Sequence, residues 1–174
     1  MFALILASLF LISNDDPSAN VNAKVAAFAR SKLGEQVGDG ECTTLVNQAL
    51  SDSGGWMLRR PEADCEYRWG ELVKSAKDAK PGDIIQLENV SFQGRRRKVG
   101  RNGEPILVIS KVSYPHHTGI VTAVNPKGKT LTVLHQNGPG PDGHSLKTVQ
   151  ETIFVLSEKQ PGGTLKIYRP LVGD

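Results

Sequence analysis

Apolar residues in the first part of the chain repeat at helical spacing. They predict one helix over residues 20–33, which Gly34 ends. They predict a second helix that begins at Cys42 and ends at the glycine pair at residues 54–55. A third, shorter helix is predicted over residues 67–76, with Cys65 as an alternative start.

From Lys80 onward, the helical spacing gives way to short segments rich in β-branched residues. Pro81-Gly82-Asp83 predicts a turn that opens the first strand. The predicted strands cover residues 84–87, 106–112, 117–124, 130–136, 152–156 and 164–168. Helices followed by strands indicate an α+β fold, with N-terminal helices packed on a C-terminal antiparallel sheet.

The first 13 residues are almost wholly apolar, and only two serines interrupt the run. Such a run is too short to span a bilayer but matches the apolar region of a secretory signal peptide. We therefore expect a signal-like segment over residues 1–19, a single domain over residues 20–174, and a secreted, periplasmic or cell-envelope location. The basic residues that normally precede such a region are missing, so a misplaced start codon, a membrane anchor or a buried helix remain alternatives.

Positive charge is concentrated in one segment. The chain has 21 basic and 18 acidic residues, a formal charge of +3. Five of the basic residues are Arg95, Arg96, Arg97, Lys98 and Arg101, in a glycine-containing segment predicted to form a hairpin. These five are the expected contacts for an anionic polymer, with a solvated hairpin tip as the alternative. No specific nucleic-acid partner is expected, and the protein is expected to be a monomer.

Cys42 follows a glycine-rich turn and begins a helix. Unpaired amides and the positive end of the helix dipole favour a thiolate, which is the nucleophilic form of cysteine. We therefore interpret Cys42 as a covalent nucleophile, with a buried core residue as the alternative. A bridge between Cys42 and Cys65 is a further alternative in an exported protein.

A cysteine nucleophile needs a base and a group that orients the base. In a strand, alternate residues share a face, so His117 lies with Gly119 and Val121, while His116 points to the other side. In the next strand, His135 and Asn137 also share one face. If the cysteine helix packs on the His117 side, these residues form a triad. A zinc site of Cys42, His117 and His135 is the alternative, but it lacks paired-ligand spacing, so no cofactor is expected.

The order of these motifs resembles the papain-like CHAP and NlpC-type cysteine amidohydrolases and peptidases. The similar segments are the cysteine segment at residues 29–46, Pro81-Gly82-Asp83, His117-Thr118-Gly119-Ile120-Val121 and Leu134-His135-Gln136-Asn137. The resemblance implies a nucleophile at Cys42, a base at His117 and an orienting group at His135 or Asn137. It also implies hydrolysis of amide bonds, often in the peptides of bacterial peptidoglycan.

Further site residues are expected around this triad. Gln36 precedes the cysteine by six residues, a spacing that resembles the oxyanion glutamine of papain. Glu41 and Trp69 are candidate substrate contacts, although a core position is the favoured interpretation of Trp69. Departures from the resemblance include Glu41 directly before the cysteine and the insertion-like basic hairpin. Two other functions remain open: a catalytically silent binding module that uses the hairpin at residues 93–102, and a papain-like acyltransferase or non-wall peptidase.

Overall fold

A computed structural model describes residues 17–56, 67–99, 101–140 and 144–173. Two α-helices come first, α1 over Pro17–Ser31 and α2 over Cys42–Ser53. Both helices are close to the predicted ranges, so these two predictions are confirmed. The apolar run at residues 1–13 and Cys65 lie outside the described residues, and the proposed domain limits stay predictions.

The rest of the described chain is mostly antiparallel sheet. Its main sheet has six strands in the order β2-β9-β3-β4-β5-β8, and two small two-stranded sheets pair β1 with β10 and β6 with β7. The strands are β1 Gly55–Trp56, β2 Glu71–Leu72, β3 Ile84–Val99, β4 Pro105–Val124, β5 Thr130–His135, β6 Gly138–Pro139, β7 Ser145–Leu146, β8 Gln150–Val155, β9 Thr164–Arg169 and β10 Leu171–Val172. A short 3₁₀ turn covers Leu156–Glu158. Two helices followed by a mostly antiparallel sheet make the chain α+β.

The third predicted helix, over residues 67–76, is wrong. This segment instead contains β2, which pairs with β9 at the edge of the main sheet. Its apolar residues are divided between opposite environments, because Trp69 is fully buried whereas Leu72 is 52% exposed. A helix would need one continuous apolar side. This segment has none, because Trp69 packs in the core while Leu72 pairs at the edge of the sheet.

Two strands that were predicted separately, over residues 106–112 and 117–124, form one 20-residue strand, β4. It pairs with β3 in a single register from Ile84 opposite Ile120 to Val99 opposite Pro105. The basic segment therefore forms the distal end of a long hairpin. Pro115 does not end the strand, because a proline is tolerated where its missing N–H is not needed for pairing.

Side-chain alternation reverses partway along this hairpin. Leu87 and Val90 both lie in the same buried cluster, although strict alternation would place them on opposite faces. Between them Asn89 has a positive φ of 51°, in the left-handed region. On the partner strand, Tyr114 and His117 likewise lie on one side, with ring centroids 5.2 Å apart. The local backbone turn thus rotates the outer half of the hairpin relative to its inner half.

The sheet separates two apolar clusters. Residues of α1 and α2, including Val25 and Leu45, share the first cluster with Ile84, Ile120 and Leu134 of the sheet. The neighbouring residues on these strands point the other way and form the second cluster, which consists of Ile85, Leu87, Val90, Phe92, Tyr114, Val121, Leu131, Val133, Phe154, Ile167 and Ala79. The side of the sheet that each residue faces therefore decides whether it meets the helices.

The Pro81-Gly82-Asp83 turn joins α1 to the sheet. Gly82 has a φ of 94°, and a side chain there would overlap the backbone of Asn22 in α1. The carboxylate of Asp83 is fully buried, accepts a hydrogen bond from Asn22 Nδ2 at 2.6 Å, and forms a salt bridge with Arg169 of β9. Glycine permits the close approach and aspartate links the elements, which explains this motif as a structural one.

No helix within the described ranges combines the length and apolar character needed to cross a bilayer.

Candidate active site

The side chain of Gln136 fixes the glycine-rich loop that leads to Cys42. Gln136 is fully buried, and its amide nitrogen donates to the carbonyl oxygens of Val37 at 2.9 Å and Glu41 at 2.7 Å. Its amide oxygen accepts from the Val37 N–H at 3.1 Å. The residue after His135 thus places the start of α2 against β5. Sequence reasoning included Gln136 in a motif but assigned it no role.

Cys42 is the first residue of α2, is 8% exposed, and carries a free thiol. Burial raises the pKa of the thiol above its usual value, while hydrogen bonds from the backbone of Thr118 and Thr43 oppose the rise. The neighbouring Glu41 carboxylate raises this pKa further. Burial therefore favours a neutral thiol in the free protein, against the thiolate that the helix start alone would favour.

The Thr118 contact places the sulfur next to the histidine strand. Backbone N–H groups lie in the plane of a sheet, and β4 pairs with β5 only from Ile120 to Val124. Cys42 therefore lies at the edge of β4 that β5 leaves open, beside the residue that follows His117. This edge location matters because the apolar side of α2 packs on the opposite side of the sheet from His117. The sequence predicted a triad on the condition that the cysteine helix packs on the side of the sheet that His117 faces. In the structure, α2 packs on the other side.

His117 and His135 form a buried pair. His117 Nε2 lies 3.0 Å from His135 Nδ1, and the two rings are nearly perpendicular at 87°. The two side chains are 5% and 1% exposed. Within the described part of the chain, His117 Nδ1 makes no hydrogen bond. His117 is thus held through one nitrogen, while the other is left for a proton from a substrate or a thiol.

The pair continues into a second polar residue that sequence reasoning missed. His135 Nε2 lies 2.8 Å from Thr152 Oγ1, and the Thr152 hydroxyl hydrogen-bonds the side chain of Tyr114. One arrangement of protons satisfies the whole chain: His117 Nε2–H donates to His135, His135 Nε2–H donates to Thr152, and Thr152 donates to Tyr114. It leaves His117 Nδ1 with a lone pair, the form that a general base requires.

Burial keeps this network neutral. Desolvation lowers the pKa of His117 to about 3, and nearby His135 and His116 lower it further. Desolvation likewise lowers the pKa of His135 to about 4. Burial raises the pKa of Tyr114 to about 12, so its phenol also stays protonated. At neutral pH the two imidazoles therefore carry no charge before any reaction.

Asn137 and Glu41 form a separate group at the mouth of the loop. Asn137 adopts a positive φ of 57°, and its Nδ2 donates to Glu41 Oε2 at 2.6 Å. The other oxygen of Glu41 forms a salt bridge with Lys147. The sequence left open whether His135 or Asn137 accompanies the base, and the structure pairs His117 with His135.

Two weaker candidates have other contacts. Gln36 is exposed, and its amide donates to the Gly38 carbonyl at 3.1 Å, which gives no support to an oxyanion role. Trp69 is fully buried, stacks on Tyr67 with ring centroids 5.1 Å apart, and donates to Gln86 at 2.9 Å. The substrate-contact prediction for Trp69 is therefore wrong, because the indole is a core side chain.

Replacing Gly138 by alanine is expected to displace the His135 ring. A methyl group at this position would overlap the imidazole, so either the ring or the loop must move. We expect a stability loss of about 1–3 kcal/mol and loss of the hydrogen bond between the two histidines. Imidazole ¹⁵N–¹H NMR spectra measure this directly. Gly140→Ala is the matched control, because its methyl group would meet Leu146 and the His144 backbone instead. Unchanged imidazole signals in Gly138→Ala would contradict the prediction.

Within the described ranges, no three His, Cys, Asp or Glu side chains are grouped as metal ligands.

A family model described as AIM3/BBC1 Cysteine proteinase-fold domain matches residues 16–173. The match supports a papain-like cysteine proteinase fold and does not single out the CHAP or NlpC types. No curated protein and no solved structure shows significant similarity to the chain.

Proposed function

Because the chain belongs to the AIM3/BBC1 cysteine proteinase-fold domain family, we propose that it is a cysteine hydrolase that cleaves amide bonds. Cys42 is the proposed nucleophile, His117 the base, and His135 the residue that orients the base. Two observations carry the proposal: His135 Nδ1 lies 3.0 Å from His117 Nε2 in a buried pair, and the backbone of the next residue, Thr118, is near enough to Cys42 to lower the pKa of its thiol.

In the proposed mechanism, the resting site holds a neutral thiol and a neutral imidazole. As the sulfur attacks the substrate carbonyl, the thiol proton moves to His117 Nδ1. The positive charge that forms on His117 is stabilised through its hydrogen bond to His135. The backbone N–H of Cys42, at the start of α2, is the proposed donor to the oxyanion. His117 then protonates the leaving amine, and water hydrolyses the thioester.

Cell-wall peptides are the proposed substrate class. This part of the proposal rests on the CHAP and NlpC-type resemblance of the motifs. The proposed location outside the cytoplasm rests instead on the apolar, signal-like run at residues 1–13. The acidic and basic groups at the loop mouth, Glu41 and Lys147, lie beside the proposed nucleophile. They are the proposed contacts for the charged groups of such a peptide. An acyltransferase would use the same nucleophile and base with a different acceptor.

Acylation by p-nitrophenyl acetate tests the chemistry without a known substrate. We expect one acetyl group on Cys42, followed by its loss through hydrolysis. Mass spectrometry of peptides distinguishes acetylation of Cys42 from acetylation of Cys65. His117→Gln is expected to slow acylation by about 100-fold or more, because general-base catalysis typically contributes that much. Cys42→Ala is expected to abolish acylation at this site.

His116→Gln is the matched control. His116 is the adjacent histidine, is exposed, and lies 3.3 Å from Gln86 on the other face of the strand. We expect Cys42 in the His116→Gln variant to be acylated at close to the wild-type rate. If acylation is slow in His116→Gln and unchanged in His117→Gln, the base is His116 instead. No acylation of Cys42 in the folded wild type would contradict the hydrolase proposal and favour the silent binding module.

A further inference from the structure

We propose that the distal half of the β3–β4 hairpin binds the surface of an anionic lipid bilayer through one face. This face, called the outer face below, is formed by Arg95, Arg97, Val99, Leu107, Ile109 and Lys111. Arg95 pairs directly with Ile109, and Arg97 with Leu107. Directly paired residues of antiparallel strands point to the same side. One strand thus supplies arginines and the other supplies aliphatic side chains to a single surface.

The opposite face of the same hairpin is turned toward the rest of the protein. Gly94, Arg96, Ser110 and Val112 line a cavity of about 200 Å³ against β8 and the 3₁₀ turn. Arg96 also forms a salt bridge with Glu158 at 2.5 Å. These contacts fix which side of the hairpin is presented to a partner. In the described part of the chain, no carboxylate forms a salt bridge with Arg95 or Arg97.

The outer face combines exposed aliphatic side chains with positive charge. Val99 is 79% exposed, Leu107 56% and Ile109 54%. Single exposed apolar residues are ordinary, but several adjacent ones rimmed by cations indicate an interaction surface. Charged residues on an unpaired strand edge also prevent aggregation. That role explains the arginines here but leaves the exposed aliphatic residues without a function.

The chemistry of the surface favours a bilayer over a nucleic acid. Residues 93–111 contain no aromatic side chain on which a base could stack. Aliphatic side chains instead suit the boundary between headgroups and acyl chains. Arginines beside them attract the negative surface of a membrane that contains anionic lipids. The basic segment is therefore assigned to a lipid surface rather than to an anionic polymer.

Sedimentation with vesicles tests this proposal on the full chain. We expect binding to phosphatidylcholine vesicles in which about one lipid in three is phosphatidylserine, because this composition gives a strongly negative surface. We expect weaker binding to vesicles of pure phosphatidylcholine. The Arg95→Gln/Arg97→Gln variant is expected to bind about 10- to 30-fold more weakly, from the typical contribution of each basic residue near an anionic surface. Leu107→Ser/Ile109→Ser is also expected to lose binding. Every variant keeps the apolar N-terminal run, so its contribution to binding cancels in the comparison.

Lys98→Gln/Ile106→Ser is the matched control, because this cross-strand pair also joins a cationic residue to an aliphatic one, but on the opposite face. We expect it to bind like the wild type, and an equal loss would overturn the assignment to the outer face. Retained binding in Leu107→Ser/Ile109→Ser would show attraction by charge alone and contradict the proposed role of the aliphatic side chains. Binding to an oligonucleotide without binding to vesicles would overturn the proposal. The Cys42→Ala protein must bind vesicles normally, so this test is independent of the proposed hydrolase.

Discussion

Replacing Asp83 by alanine is expected to lower the free energy of unfolding by about 3–5 kcal/mol, the usual cost of removing one partner of a buried ion pair. Both carboxylate oxygens of Asp83 accept hydrogen bonds. Oδ1 accepts from Asn22 Nδ2 at 2.6 Å and Arg169 Nε at 3.1 Å. Oδ2 accepts from the Lys80 N–H at 2.8 Å and from Arg169 at 2.9 Å. Alanine would leave these donors without their acceptor, and the Asn22 amide would lose it in a buried position.

The effect is large because this one side chain joins three parts of the fold: α1, the turn before β3, and β9. Urea unfolding followed by circular dichroism measures it. Asp78→Ala is the matched control, since Asp78 is exposed and contributes only its backbone oxygen to Arg169. We expect that control to change stability by less than about 0.5 kcal/mol. A loss below about 1 kcal/mol in Asp83→Ala would show that the buried contacts contribute little.

The second expected result is a steep loss of stability as the pH falls from about 6.5, the ordinary pKa of histidine, towards about 4. Burial lowers the pKa of His117 to about 3 and of His135 to about 4. In this pH range, the unfolded chain binds protons that the folded chain does not, so acid favours unfolding. Each histidine contributes a slope of up to about 1.4 kcal/mol per pH unit. The loss levels off below the folded-state pKa values.

Unfolding by urea at a series of pH values measures this slope. We expect His117→Gln/His135→Gln to lack the part of the slope that the pair contributes, even if the variant is less stable overall. His116→Gln should keep it, since the change affects an exposed histidine and leaves the buried pair in place. Carboxylate titration is common to all three proteins and cancels. If the slope of stability against pH is equal in the wild type and the double variant, the pair takes up protons in the folded state as readily as in the unfolded chain, which contradicts the lowered pKa values.

Local pattern was sufficient for much of the fold. Helical spacing located α1 and the start of α2 at Cys42, because an amphipathic helix of this length records its buried side in the sequence. β-Branched segments located β5, β8 and β9 to within about two residues, an ordinary uncertainty for element ends. The pattern failed at residues 67–76, where burial comes from contacts with distant residues such as Gln86.

For the candidate site, the sequence by itself determined which residues are the candidates: one cysteine at a helix start and two histidines on adjacent strands. It also determined that His117 and His135 face the same side, because alternation in a strand is a local property. The α+β class follows from the sequence for the same reason. All of these features depend on residues that are close together along the chain.

Only the tertiary structure decided how these residues meet. It paired His117 with His135 rather than Asn137, extended the pair to Thr152, and packed α2 on the opposite face of the sheet. It also set the charge states, since burial outweighs the helix start at Cys42 and keeps the imidazoles neutral. The physical reason is that burial, long-range hydrogen bonds and the choice of sheet face depend on residues far apart in the chain, and no local pattern records them.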